Sequence, residues 1–520
     1  MTTSNAYDFI IVGAGSAGST AAYYLAQKNY SILVLERGKT QEQYPASFPA
    51  SRWGENFNSE AVYDYCTQPQ SGLNGRCNLL AAGQVTGGGS TINSMMYARG
   101  NLNDYVAWSE SEEWSQPRLE SLFEEIEQIL KPESLPDNAF TSAIIKACEA
   151  SGLAYNANFE KSGYVGTGHS LTTTIHGNRQ STDTAFLKPA LTTGMVELLT
   201  EAHVHRILFS DKKAMGVEYI KDGQKKIASL KDEGEIILSA GALESPKILM
   251  LSGIGPKDML TQFNIPEVHV NEEVGKNLAD QPDCPVSFIA LKDLPNDNNQ
   301  ISICAFAKSS LSKGECDLQL LFIPGEVNPE LLVMGLRGFP NVFIRYRLLR
   351  ILSRIIIRWM IRLFPSLKRF LKRSFTIMPC VMKPKSRGKV TLQSANPLDD
   401  LKINPNYLHE QHDRLVLMEG IQLARKIAQQ SALNAWRKRE FLPGKMELSD
   451  YINSFTGTTY HYAGTCAMGK VVDEKLRVIG IENLRVADAA IMPSLPLVTP
   501  NAACILIGLN LARIIFDGGR

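Results

Sequence analysis

Three observations predict a mixed α/β fold that opens on a parallel strand–helix–strand unit. Residues 7–12 read YDFIIV, a short β-branched run suited to a buried parallel strand. A glycine turn, Gly13-Ala14-Gly15-Ser16-Ala17-Gly18, follows at once and leads into a small-residue helical stretch. The chain has 520 residues, more than one core of ordinary size accommodates, so two domains or a second layer are expected.

The turn is the first element to justify. After STAAYYLAQKN, the segment SILVLER supplies a second strand that ends at Glu36. A lone G-x-G-x-x-G is weak, but this one lies between strand and helix with an acid roughly 20 residues on. Gly13, Gly15 and Gly18 let backbone approach a pyrophosphate at a helix N-terminus, where Ser16 and Ala17 offer N–H groups. Glu36 is placed to accept hydrogen bonds from ribose hydroxyls. This Rossmann-type unit predicts a dinucleotide site without separating FAD from NAD.

Composition narrows the class. Hydrophobic residues are 44% and charged residues 21%, as in soluble globular enzymes. A net charge of +1 gives no nucleic-acid signal. Nine scattered cysteines without a C-x-x-C pair argue against a disulfide framework or a zinc site, so no metal is expected. They fit a reducing, cytoplasmic compartment. No signal peptide and no run of 18 uncharged apolar residues is read from the sequence.

Later segments are more specific. GQVTGGGSTIN (83–93), GNRQSTDTAFLKPA (177–190), SAGALESPKILMLSGIG (239–255), VGKNLADQP (274–282), SRGKVTLQSANP (386–397), HYAGTCAMG (461–469) and LRVADAAIMP (484–493) occur in order along nearly the whole chain. Together they resemble the glucose–methanol–choline (GMC) family of FAD-dependent oxidoreductases. The resemblance implies a discontinuous FAD-binding domain at 1–140, 195–285 and 455–520. It implies a substrate domain with an antiparallel sheet at 141–194 and 286–454. It places the loop Gly87-Gly88-Gly89-Ser90 on the pyrophosphate and Asn93 near the isoalloxazine ring. It pairs the Val204 backbone with adenine, although an ordinary core valine is the alternative, and sets Asp488 and Ala489 beside the ribityl chain. Asp488 is also suited to capping a helix or turn. Some relatives bond the flavin covalently through a histidine at the position of Ile92; isoleucine cannot, so non-covalent FAD is expected. The helix beginning near Asn501 would aim its N-terminal dipole at the flavin pyrimidine edge.

Of eight histidines, His461 is the one the resemblance makes the base, taking the hydroxyl proton while hydride leaves for flavin N5. Relatives carry a second catalytic His or Asn eleven residues after the aspartate matching Asp488. Here that position is Thr499, whose hydroxyl forms a hydrogen bond but is no base. The expected reaction is oxidation of a hydrophobic or amphiphilic alcohol, with electrons passed to a quinone, a carrier or oxygen. A GMC-fold lyase or decarboxylase is the alternative.

One segment stands apart from the motifs. Between Glu330 and Asp399 there is no acid and there are fifteen Lys or Arg. NVFIRYRLLRILSRIIIRWMIRLF reads as a helix that Pro365 ends or kinks, with Arg347, Arg350, Arg354, Arg358 and Arg362 on one face and Leu349, Leu352, Ile356, Trp359 and Leu363 opposite; SLKRFLKRSF then continues the basic, apolar pattern. Three readings follow for this basic segment at about 341–375. The helix buries its apolar side on the substrate domain; or it lies on the inner face of an anionic membrane; or it docks an acidic carrier.

Overall fold

Phe9, Ile10 and Ile11 are fully buried at the centre of the first sheet, where Ala6–Val12 pairs in parallel with Ile32–Leu35 and with the far half of Gln224–Leu238. The structure, a computed structural model, describes residues 6–295, 301–325 and 339–518. The sheet runs in the order Val196–Leu199, Ile32–Leu35, Ala6–Val12, Gln224–Leu238, Lys213–Lys221, His203–Ser210, with Leu484–Val486 also on Gln224–Leu238. Gln224–Leu238 changes partners along its length. Its first half is antiparallel to Lys213–Lys221, and its second half is parallel to Ala6–Val12 and Leu484–Val486. The late strand is fastened by a bidentate Arg485–Glu235 pair, 2.6 and 3.1 Å, with both residues buried.

The glycine turn leads into the helix Ser16–Ala26, buried on nearly every side. Small residues make that possible. A Cβ on Gly18 would meet the Gly13 carbonyl oxygen at 2.1 Å, and one on Gly508 would meet that of Ala17 at 2.3 Å. The C-terminal helix Asn501–Phe516 thus packs backbone to backbone against the first helix.

The second sheet is antiparallel, in the order Arg437–Leu442, Val286–Ala290, Ser374–Val381, Leu318–Pro324, Ile303–Ala307, Gly166–His169. Its strands alternate faces. Leu318, Leu320 and Phe322 join the main core, under the helix Gln411–Ala428, while Leu321, Ile323 and Met378 turn the other way and line a cavity. The mixed α/β class with a parallel nucleotide-type sheet and a separate antiparallel sheet is the one expected.

The basic segment is three helices, Asn341–Arg345, Arg347–Leu363 and Pro365–Lys372. The break at Phe364 falls where Pro365 is expected to end or kink the helix; the break at Tyr346 is not expected, and of the three readings the one that buries the apolar side is not what the structure has. Arg350 and Ser353 are its buried residues between 347 and 363. Arg350 and Arg354 turn inward onto Asp64, so they leave the arginine face, and Ile356, Trp359 and Leu363 are exposed. The half-buried Asp64 carboxylate on the strand Val62–Cys66 recruits the two guanidinium groups, and this sets the rotation of the helix. Among the described residues no helix is long and apolar enough to cross a membrane, and no cluster of His, Cys, Asp or Glu is placed to hold a metal.

Candidate active site

A cavity of about 390 Å³ lies between the two sheets, lined from Val12 to Cys504 by residues distant in sequence. Thirteen of the expected residues line it: Gly13, Gly15, Ser16, Ala17, Glu36 and Gly88 near the first sheet, Asn93, Val204, Asp488 and Ala489 along its length, and His461, Thr499 and Asn501. Gly18, Gly87 and Ser90 do not touch it but hold its walls. Gly87 takes φ +82°, and the Ser90 hydroxyl donates to the Gly87 carbonyl at 2.6 Å.

One end of the cavity is a cradle of backbone. A Cβ on Gly88 would fall 2.7 Å from Gly15 Cα, so the two glycine loops press together. Gly15 and Gly89, by contrast, face open space: a Cβ on Gly15 would meet only the Ser239 oxygen, at 3.9 Å, and one on Gly89 would meet nothing within 4 Å. Two helix N-termini converge here. Neither Gly15 nor Pro500 caps its helix with a side chain, and no acid occupies either first turn. The Ser16 hydroxyl donates to Asn501 Oδ1 at 2.7 Å and ties the two ends together. Unsatisfied first-turn N–H groups and the dipoles make this a place for anionic groups. A long nucleotide with a pyrophosphate, such as FAD, fits this cradle.

Glu36 lies at this same end, beside the first glycine turn. Its carboxylate accepts from the Ala14 and Gly38 N–H groups, 2.9 and 2.8 Å, and burial pushes its pKa up. Asp488 also has structural work: it accepts from Gly241 N, Ser245 Oγ and Ala490 N, and the last contact caps the turn Ala489–Ile491. Val204 lies on the strand beside Tyr219.

The opposite end carries His461. Burial pushes its imidazole pKa down to about 3, so the ring is neutral near pH 7. Nδ1 lies 2.6 Å from Gln281 Oε1 and 2.9 Å from the Thr459 hydroxyl. The Gln281 amide nitrogen donates to the carbonyls of Met382 and Pro496, at 3.0 and 3.2 Å, so its oxygen is the atom facing His461. An oxygen there requires Nδ1–H, which leaves Nε2 with its lone pair. Asp280 holds the neighbouring backbone by accepting from His461 N and Gln281 N, both at 2.9 Å. Tyr462 donates to the Ala81 carbonyl at 2.8 Å, and Tyr460, at φ +64°, lines the cavity wall. The Thr499 hydroxyl oxygen is buried and has no hydrogen-bond partner among the described residues. Trp53, Phe57, Ile301, Leu321, Ile323 and Met378 make the surrounding wall apolar.

Two residues here were not singled out by sequence. Arg179, buried without an acid beside it, donates to the carbonyls of Ser47, Ser90 and Asn93 and to Asn93 Oδ1, at 2.6 to 2.9 Å. Burial pushes its pKa down to about 9. It pins the loop 87–93 from behind. Gln281 is the other. Both lie within motifs quoted above, but nothing in a motif says which way a side chain turns.

Fold and site together define a two-sheet α/β protein with a cavity suited to a long nucleotide. The chain belongs to the GMC oxidoreductase family: residues 7–283 and 384–508 match its N- and C-terminal models, and the family uses FAD. The chain is 34% identical to "Alcohol dehydrogenase [acceptor]" of Pseudomonas putida, over 98% of this chain and 95% of that one. It is 30% identical to mitochondrial choline dehydrogenase of Mus musculus, over 98% and 89%. Among solved structures, pyridoxine 4-oxidase from Mesorbium loti aligns over 99% of both chains with TM-score 0.85 and 26% identity.

Proposed function

We propose that this chain binds FAD non-covalently and oxidises a hydrophobic or amphiphilic alcohol to a carbonyl, with His461 as general base. The observation that carries this reading is the fixed tautomer of His461, a neutral imidazole with its Nε2 lone pair free in the cavity that holds the glycine cradle. Bound FAD supplies the acceptor for the hydride. Nε2 takes the hydroxyl proton, and the positive charge that develops is met at Nδ1–H by the Gln281 oxygen. The partnerless Thr499 hydroxyl takes a hydrogen bond with the substrate oxygen. The apolar wall excludes water and favours a hydrocarbon chain over a sugar. Ile92 lines the cavity with no atom able to bond the flavin, which supports non-covalent binding. The relative described as using an unspecified acceptor supports a dehydrogenase that reduces a quinone or carrier.

Anaerobic mixing of the purified flavoprotein with a panel of alcohols tests this reading. Loss of the oxidised flavin band with long-chain alcohols, and turnover with an artificial acceptor exceeding turnover with oxygen, is the expected result. Product formed without any bleaching would assign a lyase or decarboxylase instead. Thr499→Val lowers kcat/KM by roughly tenfold, the worth of one hydrogen bond to a developing charge. Gln281→Met frees the imidazole to change tautomer, so kcat falls on the order of tenfold to a hundredfold while KM changes little. Equal loss in both parameters would reduce Gln281 to a packing role.

A further inference from the structure

The helix Arg347–Leu363 presents its apolar side to solvent. Of the 22 exposed large apolar side chains among the described residues, 12 fall between 342 and 370. Leu348 is 69% exposed, Leu363 63% and Trp359 57%, whereas Arg350 is 6% exposed. Each outward side chain leaves apolar surface in water that a covering partner would remove. The rotation is not accidental. Arg350 donates to the Ile344 carbonyl at 3.0 Å, and Arg354 forms an ion pair with Asp64 on the strand Val62–Cys66. A contiguous outward patch of this kind marks an interaction surface.

Charge decides what covers it. Residues 339–373 contain no acid and ten Lys or Arg. Arg347, Arg358, Arg362 and Lys368 are exposed and form no ion pair among the described residues. They rim the apolar stripe, with Trp359 and Tyr346 among the exposed aromatics. Basic side chains that can snorkel, interfacial aromatics and an apolar centre match the surface of an anionic bilayer. A second copy would set one acid-free basic face against another, which is repulsive.

We propose that the helices Arg347–Leu363 and Pro365–Lys372 form a monotopic docking surface for anionic membranes. The apolar stripe enters the boundary of head groups and acyl chains, and the rim cations meet lipid phosphates. The helix rests on the hairpin Val62–Cys66 and Leu79–Gly83, whose inner end gives Ala81, Ala82 and Gly83 to the cavity wall. Docking therefore places one wall of the cavity on the membrane side of the molecule. It does not depend on the catalytic reading.

Flotation of the purified flavoprotein tests it. Vesicles of phosphatidylglycerol and phosphatidylcholine in equal parts carry the protein upward, and vesicles of phosphatidylcholine alone do so on the order of tenfold less well. Ile355→Glu with Trp359→Glu, at outward positions that leave Arg350 and Arg354 on Asp64, abolishes flotation and keeps the flavin spectrum. Arg358→Glu with Arg362→Glu weakens it on the order of tenfold. Absence of flotation with anionic vesicles overturns the proposal. A dimer that the Ile355 and Trp359 pair dissociates, without flotation, would give the surface to a second copy. A monomer that binds no vesicle would leave it to an acidic protein. Equal flotation with both vesicle types would overturn the charge argument.

Discussion

His461→Ala lowers kcat/KM toward hydrophobic alcohols on the order of 10³-fold while the flavin stays bound. The size follows from the role: Nε2 of a ring whose Nδ1 is held by Gln281 is the proton acceptor in this reading, and the alanine variant lacks it. A small base such as imidazole, added to the alanine variant, restores part of the rate. A loss below tenfold would sink the assignment. The pH dependence is a separate check. Burial holds the imidazole pKa near 3, so His461 is already neutral across the physiological range and kcat/KM shows no acid limb between about pH 5 and 8. A limb centred near the ordinary histidine value of about 6.5 would mean that the ring is more hydrated than its surroundings indicate.

The same burial ties stability to pH. His461 and His203 have native pKa values of about 3 and about 4; for both, desolvation is the largest cause. In the unfolded chain both bind a proton near pH 6.5. The unfolded state therefore holds more protons below that value. Stability is fully present above pH 6.5 and is lost as pH falls toward the native values. At pH 5 the loss is on the order of 1 kcal/mol per group, allowing for partial exposure to the cavity. Thermal unfolding at pH 7 and pH 5 measures it, and His461→Ala narrows the gap between the two.

Legibility in the sequence followed range. The strand, glycine turn, helix and acid of residues 7–36 are close in sequence, and their periodicity and spacing carry their geometry. The position of Glu36 was readable, but not that two backbone N–H groups would already occupy its carboxylate. Arg179 grips Asn93 across 86 positions and Gln281 orients His461 across 180, and spacing says nothing about such contacts. The basic helix shows the limit from another side. A helical wheel separates its two faces but leaves open which of them is buried. Asp64, 290 positions from Arg354, decides that by drawing the cations inward. Where a buried charge and a hydrophobic face compete for one surface, the partner decides, and the partner lies outside the local pattern.

Gly15→Val yields a folded protein that elutes without FAD, whereas Gly13→Val yields little folded protein at all. The two glycines are neighbours in one turn, yet different physics holds them. Gly13 has φ +102°, and a Cβ there would lie 2.4 Å from the backbone oxygen of Ser239, so a side chain meets both backbone strain and the backbone just past the strand Gln224–Leu238. Gly15 has φ −75° and ψ −167°, ordinary for any residue, and its Cβ would project into the cavity with the nearest protein atom at 3.9 Å. The valine side chain would then stand where a pyrophosphate approaches the first-turn N–H groups. Absorbance of flavin relative to protein after gel filtration, with the melting temperature, separates the cases. The Gly15 variant is expected to lose nearly all flavin and to melt close to flavin-free wild type. Retention of stoichiometric FAD by a folded Gly15→Val protein would show that the nucleotide does not approach this helix end, and the cradle between Gly15 and Gly88 would need another ligand.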